Sequence, residues 1–198
     1  LLLTIRIRPV PEEKTHAPPV VPKKLFVITG GPGAGKTTLI DALRAQGEAC
    51  VAEAGRAVIR EQSAAGGTAL PWADRDAYWR AMFEKDLAAY RVALASGRRT
   101  FFDRGLPDLV GYAALEGLSP PTSAVEEIER ARYADLVFAA PPWRQIYAQD
   151  AERRQDWAEA VRTYDVVTRA YIDRGYRLFE LAPCSVEDRA RFVLDAVA

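Results

Sequence analysis

The sequence predicts an α/β fold in which a parallel β-sheet is covered by helices on both faces. Three observations carry that expectation. Five short apolar runs rich in β-branched and aromatic residues recur along the chain, amphipathic stretches of helix length separate them, and a glycine-rich turn stands where the first run meets the first helix. With 198 residues and 49% hydrophobic content, one domain plus an extension is expected, with enough apolar mass for a core of its own.

Residues 1–22 are the extension: "PVPEEKTHAPPVVP" holds five prolines and scattered charges without helical or strand periodicity, so a flexible leader is expected. The fold is expected to begin near Lys23, and since Met82 is the only methionine, Leu1 is not expected to be the initiator. Strands are expected at 24–30 ("KLFVITG"), 48–53 ("EACVAE"), 99–103 ("RTFFD"), 135–140 ("DLVFAA") and 176–181 ("YRLFEL"). The clearest helix spans 72–96, where Trp79, Phe83, Leu87, Tyr90 and Leu94 recur at helical spacing and Gly97 stands ready to end it. A second spans about 155–173 with Trp157, Val161, Tyr164 and Tyr171 on one face, and a third spans 185–197 with Ser185 as N-cap and Asp188 at N3. Ligands of such sheets bind at the carboxyl ends of the strands.

Net charge is zero with a pI near 6.8, so no global basic field recruits nucleic acid or an acidic membrane. Cys50 and Cys184 lack metal-ligand spacing, and His16 is the only histidine, so zinc sites and triads with a histidine base are not expected. No apolar run reaches the ~18–20 residues that span a bilayer, and "LLLTIRIRPV" is too short an apolar stretch for a secretory signal. A cytoplasmic protein without a membrane span is the expectation.

The chemistry starts at "GGPGAGKTT", residues 30–38, which satisfies G-x-x-x-x-G-K-[ST] between a strand and a helix. Gly31, Pro32, Gly33, Ala34, Gly35, Lys36, Thr37 and Thr38 are therefore candidate nucleotide contacts. Glycines let the backbone approach the ligand, successive N–H groups form a nest, and a helix N-terminus contributes about half a positive charge. Lys36 can bridge the outer phosphates, and the Thr37 hydroxyl can ligate magnesium. A bare strand-to-helix turn would not need Lys-Thr-Thr after it.

The other strand ends narrow the class. Asp103 is followed by Arg104 rather than by a second acid that could orient water, and the chain contains no asparagine, hence no Asn-Lys-x-Asp guanine segment. Both negatives favour transfer to an acceptor over simple hydrolysis.

Together, "GGPGAGKTT", "EAGRAVI", "FFDRGLPD", "YAQDAERRQDWAEA" and "LAPCSVEDRARFV" resemble the P-loop ATPase/kinase family, in particular the AAA-type domains of the nicotinamide riboside kinase-like group, over about residues 24–195. Asp103-Arg104 after the third strand is more distantly similar to thymidylate and deoxynucleoside kinases. The resemblance implies a three-layer P-loop NTPase with a five-stranded parallel sheet, ATP and Mg2+ as cofactors, and a mobile arginine-bearing lid near 141–156. It further implies that Asp103 holds magnesium with Thr37, and that Arg104 pairs with acceptor or transferring phosphate, where the alternative is a salt bridge capping the strand end. Glu53 is the implied general base, with Asp103 as runner-up; a carboxylate that merely favours a helix N-terminus is the other reading of Glu53. Arg153 is the implied lid cation, Arg154 a further nucleotide contact or a solvated loop residue, and Pro183 and Val186 the loop that backs adenine.

Several residues stay open at this stage. Arg56 faces either the acceptor or solvent, Trp72 and Trp143 either stack on a substrate ring or pack under loops, and Arg130 and Arg132 read as an ordinary helix face. The function expected is an ATP-dependent phosphotransferase acting on a small molecule, a nucleoside, a nucleotide or a related metabolite, with ATP hydrolysis as the runner-up. The alternative is a nucleotide-dependent regulatory switch that binds a macromolecular partner. A homodimer is left open.

Overall fold

A computed structural model describes residues 24–146 and 156–198. The leader 1–22 and the lid candidates Asp150, Arg153 and Arg154 lie outside the described residues. Five strands, β1 (Leu25–Gly30), β2 (Ala49–Val51), β3 (Thr100–Asp103), β4 (Leu136–Ala140) and β5 (Arg177–Glu180), form one parallel sheet in the order β2-β3-β1-β4-β5. Seven helices are described: α1 (Lys36–Ala45), α2 (Ala54–Ala65), α3 (Arg75–Ser96), α4 (Leu106–Glu116), α5 (Thr122–Arg130), α6 (Trp157–Ile172) and α7 (Val186–Ala196).

Strand periodicity divides the core between the two faces of the sheet. Along β1, Phe26 and Ile28 point to the side of α1 and α7, where they meet Leu39, Leu43, Phe101, Phe138 and Val193. Leu25 and Val27 point to the opposite side, into a core built with Trp79, Tyr90, Phe102, Tyr133 and Tyr171. Both faces of the central strands are thus buried, which is why those runs are continuously apolar.

The polar tips of this aromatic core fasten chain segments to one another. Trp79 Nε1 donates to the Leu109 carbonyl at 2.9 Å, Tyr133 Oη accepts from the Leu106 N–H, and Tyr176 Oη accepts from the Tyr133 N–H. Buried hydroxyls without such partners would be costly. Central β1 ends at Gly30, where a Cβ would lie 2.2 Å from the Ala140 carbonyl oxygen, so only glycine lets β1 and β4 run side by side into the loop that follows.

Two expectations about helices need correction. The 72–96 segment starts its helix at Arg75, because Asp74 caps it by accepting from the Ala77 N–H at 2.9 Å, and Leu94 is exposed. The buried stripe runs through Tyr78, Trp79, Met82, Asp86, Tyr90 and Ala93 instead. Arg132 lies beyond the end of α5, over the Tyr176 ring at 4.2 Å, so it is not part of a helix face; Arg130 is, pairing with Glu126 and Glu127. Ser185 caps α7 as expected, accepting from the Asp188 N–H and donating to Asp188 Oδ2.

Candidate active site

The loop from Gly31 to Gly35 carries the chain from β1 into α1, with Gly35 at the N-cap in a left-handed conformation (φ 74°) and no side chain capping the helix. That end of α1 is therefore free to bind an anion through its backbone. Lys36 is buried, and its Nζ donates to the Gly31 carbonyl at 2.8 Å. The Thr37 hydroxyl donates to Asp103 Oδ2 at 3.0 Å, which joins the first turn of α1 to the end of β3. Asp103 Oδ1 is buried and has no hydrogen-bond partner among the described residues. Burial raises the Asp103 pKa, Glu53 adds to the rise, and Lys36, Arg104 and the Thr37 bond oppose it. A buried carboxylate with one empty oxygen beside a hydroxyl is a donor set that suits a hard cation such as magnesium.

A cavity of about 460 Å³ surrounds the cradle, lined by residues 33–38 together with Trp143, Val186 and Arg189 among others. Of the two residues named for the adenine loop, Val186 lines this cavity beside Cys184 and Ser185, whereas Pro183 is exposed and outside the lining. Trp143 is half-buried beside the cradle rather than packed under a loop.

A second cavity of about 1160 Å³ lies next to the first, and its wall includes Pro32, Glu53, Arg56, Trp72, Asp86 and Arg104. Arg56 lines both. Pro32 therefore faces this larger space and not the cradle cavity. Trp72 is 65% exposed at its rim, so it does not pack under the loop that carries it.

Between the cavities the charges are tied into a network. Strand β2 stops at Val51, and Glu53 follows as the residue before α2, although its side chain caps nothing. It accepts from Arg104 Nε at 3.1 Å and lies 3.5 Å from Arg56 Nε. Burial opposes its ionisation, but Arg104, Lys36 and Arg56 outweigh burial and hold the carboxyl at about 2. Arg104 Nη1 donates to Asp108 Oδ1 at 3.0 Å, so the strand-end arginine is neutralised by Glu53 and Asp108. Burial disfavours its charge, yet the surrounding carboxylates keep it firmly protonated. Its backbone is left-handed (φ 70°), a conformation that strains any residue with a Cβ.

Asp108 holds the network in place. Its Oδ1 also accepts from the Thr29 hydroxyl at 2.6 Å, while Oδ2 accepts from the Gly105 N–H at 2.9 Å and the Tyr171 hydroxyl at 2.6 Å. The sequence reading passed over it, though it closes the quoted "FFDRGLPD" and an acid at N3 is a helix-start signal. Asp86 was missed too. It is buried in the larger cavity without a hydrogen bond or ion pair among the described residues, and burial, with Asp108 and Glu53, pushes its pKa well up. Its signal was a charge in the middle of an apolar helical stripe.

A family described as an AAA domain matches residues 25–189. Among solved structures, the chain is similar to NadR protein in complex with NR, with a TM-score of 0.62 and 20% identity over 88% of this chain and 50% of that one. It is similar to thymidylate kinase from Ehrlichia chaffeensis, with a TM-score of 0.60 and 13% identity over 88% and 98% of the two chains. NadR protein in complex with NAD and AMP-PNP gives 0.59 and 20%, over 88% and 48%. The chain thus spans about half the length of the NadR chains it matches. At these identities the likeness shows the fold, a three-layer P-loop arrangement with a five-stranded parallel sheet. No curated protein matches the sequence significantly. No helix among the described residues is long and apolar enough to cross a membrane.

Proposed function

The chain belongs to the AAA domain family, and on that premise we propose that it is an ATP-dependent kinase that transfers a phosphoryl group to a small hydroxyl- or phosphate-bearing metabolite of the nucleoside or nucleotide class. One observation carries the reading: a second, larger cavity adjoins the phosphate cradle, with Glu53 and Arg104 in its wall and Arg56 lining both spaces. Hydrolysis needs room for water only, whereas transfer needs a compartment for an acceptor. The likeness to a thymidylate kinase supports the same reading.

The cradle amides and Lys36 hold the triphosphate, releasing Lys36 from the Gly31 carbonyl as the anion arrives. Thr37 and Asp103 are the residues that would hold magnesium, which when bound supplies neutralising charge to the phosphates. Arg104 is fixed on two sides by Glu53 and Asp108, so it meets the transferring group without having to be ordered first. Glu53, ionised at every working pH, accepts a hydrogen bond from the attacking hydroxyl and orients it. A carboxylate at about 2 is a weak base, but a loose phosphoryl-transfer transition state asks little activation of its nucleophile. Arg153 and Arg154 belong to the proposed lid, and residues 1–22 to a leader outside the kinase domain.

The test is transfer of label from [γ-32P]ATP with magnesium over a panel of nucleosides, nucleotides and vitamin-derived ribosides. A labelled acceptor is the expected product. Hydrolysis with no labelled acceptor across the panel, together with nucleotide-dependent capture of a macromolecule, would replace this reading with that of a regulatory switch.

A further inference from the structure

The described residues include two buried cations, Lys36 and Arg189, and both grip the same loop. Lys36 Nζ donates to the carbonyl of Gly31 at 2.8 Å, and Arg189 Nη1 donates to the carbonyl of Ala34 at 3.1 Å, so the cradle is held at its two ends. With these carbonyls drawn toward the cations, the loop's N–H groups are left to face a ligand.

Arg189 differs from the other sequestered guanidiniums in its company. Arg104 is met by Glu53 and Asp108, and Arg174 by Glu129. Arg189 is 4% exposed and forms no ion pair among the described residues. Its neighbour Asp188 is engaged by Ser185 and by Arg191. Its Nε is buried without a hydrogen-bond partner among the described residues, and the Trp143 ring centre lies 6.0 Å from its Cζ. It also sits in the first turns of α7, at the positive end of the helix, which adds to its cost. Desolvation accordingly lowers its pKa. A buried cation without a counter-charge is expensive to keep. This one lines the cradle cavity, and a Cβ on Gly35 would come within 3.0 Å of its Nη1, so the motif glycine also makes room for the arginine.

We propose that Arg189 is a phosphate-binding residue of the nucleotide site, a fixed cation that compensates the anionic chain of a nucleoside polyphosphate while holding the cradle loop through the Ala34 carbonyl. Its counter-charge is the ligand. The inference rests on the nucleotide-binding reading above and adds to it a residue from the far end of the chain, 155 positions after the loop it serves.

The experiment is calorimetry with ATP and with ADP, alongside thermal melts without ligand, on the wild-type chain, Arg189→Met and Arg189→Lys. Loss of charge-assisted hydrogen bonds weakens binding of both nucleotides to Arg189→Met by about 10–100-fold. The ligand-free melting temperature holds or rises, because an uncompensated buried charge has been removed, and Arg189→Lys recovers most of the affinity. Equal affinity of Arg189→Met and wild type for both nucleotides would overturn the proposal. So would a fall in the ligand-free melting temperature that Arg189→Lys fails to rescue, which marks a structural latch alone. If the wild-type chain itself binds neither nucleotide, the nucleotide-binding reading has failed, a result distinct from either of these.

Discussion

The Thr37 hydroxyl reaches Asp103 Oδ2 at 3.0 Å across 66 residues of sequence, and the second oxygen of the same carboxylate is buried without a hydrogen-bond partner among the described residues. On the function proposed above, the two side chains offer oxygen atoms to one hard cation. Asp103→Asn should therefore lower magnesium-dependent turnover by about 10²–10³-fold, the usual cost of losing a preorganised electrostatic contact. Magnesium titrations of turnover check this, and a chelator should silence the wild type. Folding should survive, since burial already disfavours the Asp103 charge.

Glu53→Gln is expected to spare ATP affinity while slowing transfer by about 10²-fold, the low end for a group that takes a proton in the transition state. Single-turnover rates and nucleotide Kd values separate the two effects. Full activity would show that Glu53 only anchors Arg104. The carboxyl also carries a pH signature: its folded pKa, about 2, lies below the ordinary 4.5, so its stabilising contribution is present above 4.5 and lost as pH falls toward 2. Acid melts of Glu53→Gln should lose less stability across that window than the wild type does.

Asp86 has the opposite sign. Its folded pKa is raised, so its contribution to stability is full below the ordinary value of 3.8 and is lost as pH rises. Asp86→Asn should match the wild type near pH 3.5 and become increasingly the more stable protein toward neutrality. Urea unfolding at several pH values reads this directly, and a gap that does not grow with pH would contradict it.

Asp108→Asn removes the negative charge and one of the two acceptor oxygens that join Thr29, Arg104, Gly105 and Tyr171. Breaking a buried ion pair from one side costs about 3–5 kcal/mol. Since Arg104 keeps Glu53, the lower end is expected, read as a reduced melting temperature. Activity should fall with it, because Arg104 would be held from one side only.

Much of this was legible in the sequence because it rests on local rules. Strand placement followed from apolar runs, the α7 cap from Ser185 and Asp188, and the cradle from glycines whose spacing leaves few alternatives. Arg104 was legible as one of two opposite charges at the end of a buried strand, but its partners were not: Glu53 lies 51 residues away and Asp108 one turn on, and only the fold brings them together. Asp86 was hidden because a helical stripe was read by its aromatic members. Arg189 carries no sequence signal of its own, since burial of one side chain in a charged segment leaves no periodic trace. Pro183 and Pro32 show the converse: a motif marks a segment, but the path of the chain decides which of its residues face which space.

Arg56, present in the walls of both cavities, gives the two compartments a shared boundary. If filling one space moves that guanidinium, the other ligand's affinity must change, and by thermodynamic necessity the factor is the same in either direction. Donor and acceptor would then bind as a cooperative or an antagonistic pair, with Arg56→Ala bringing their coupling toward zero.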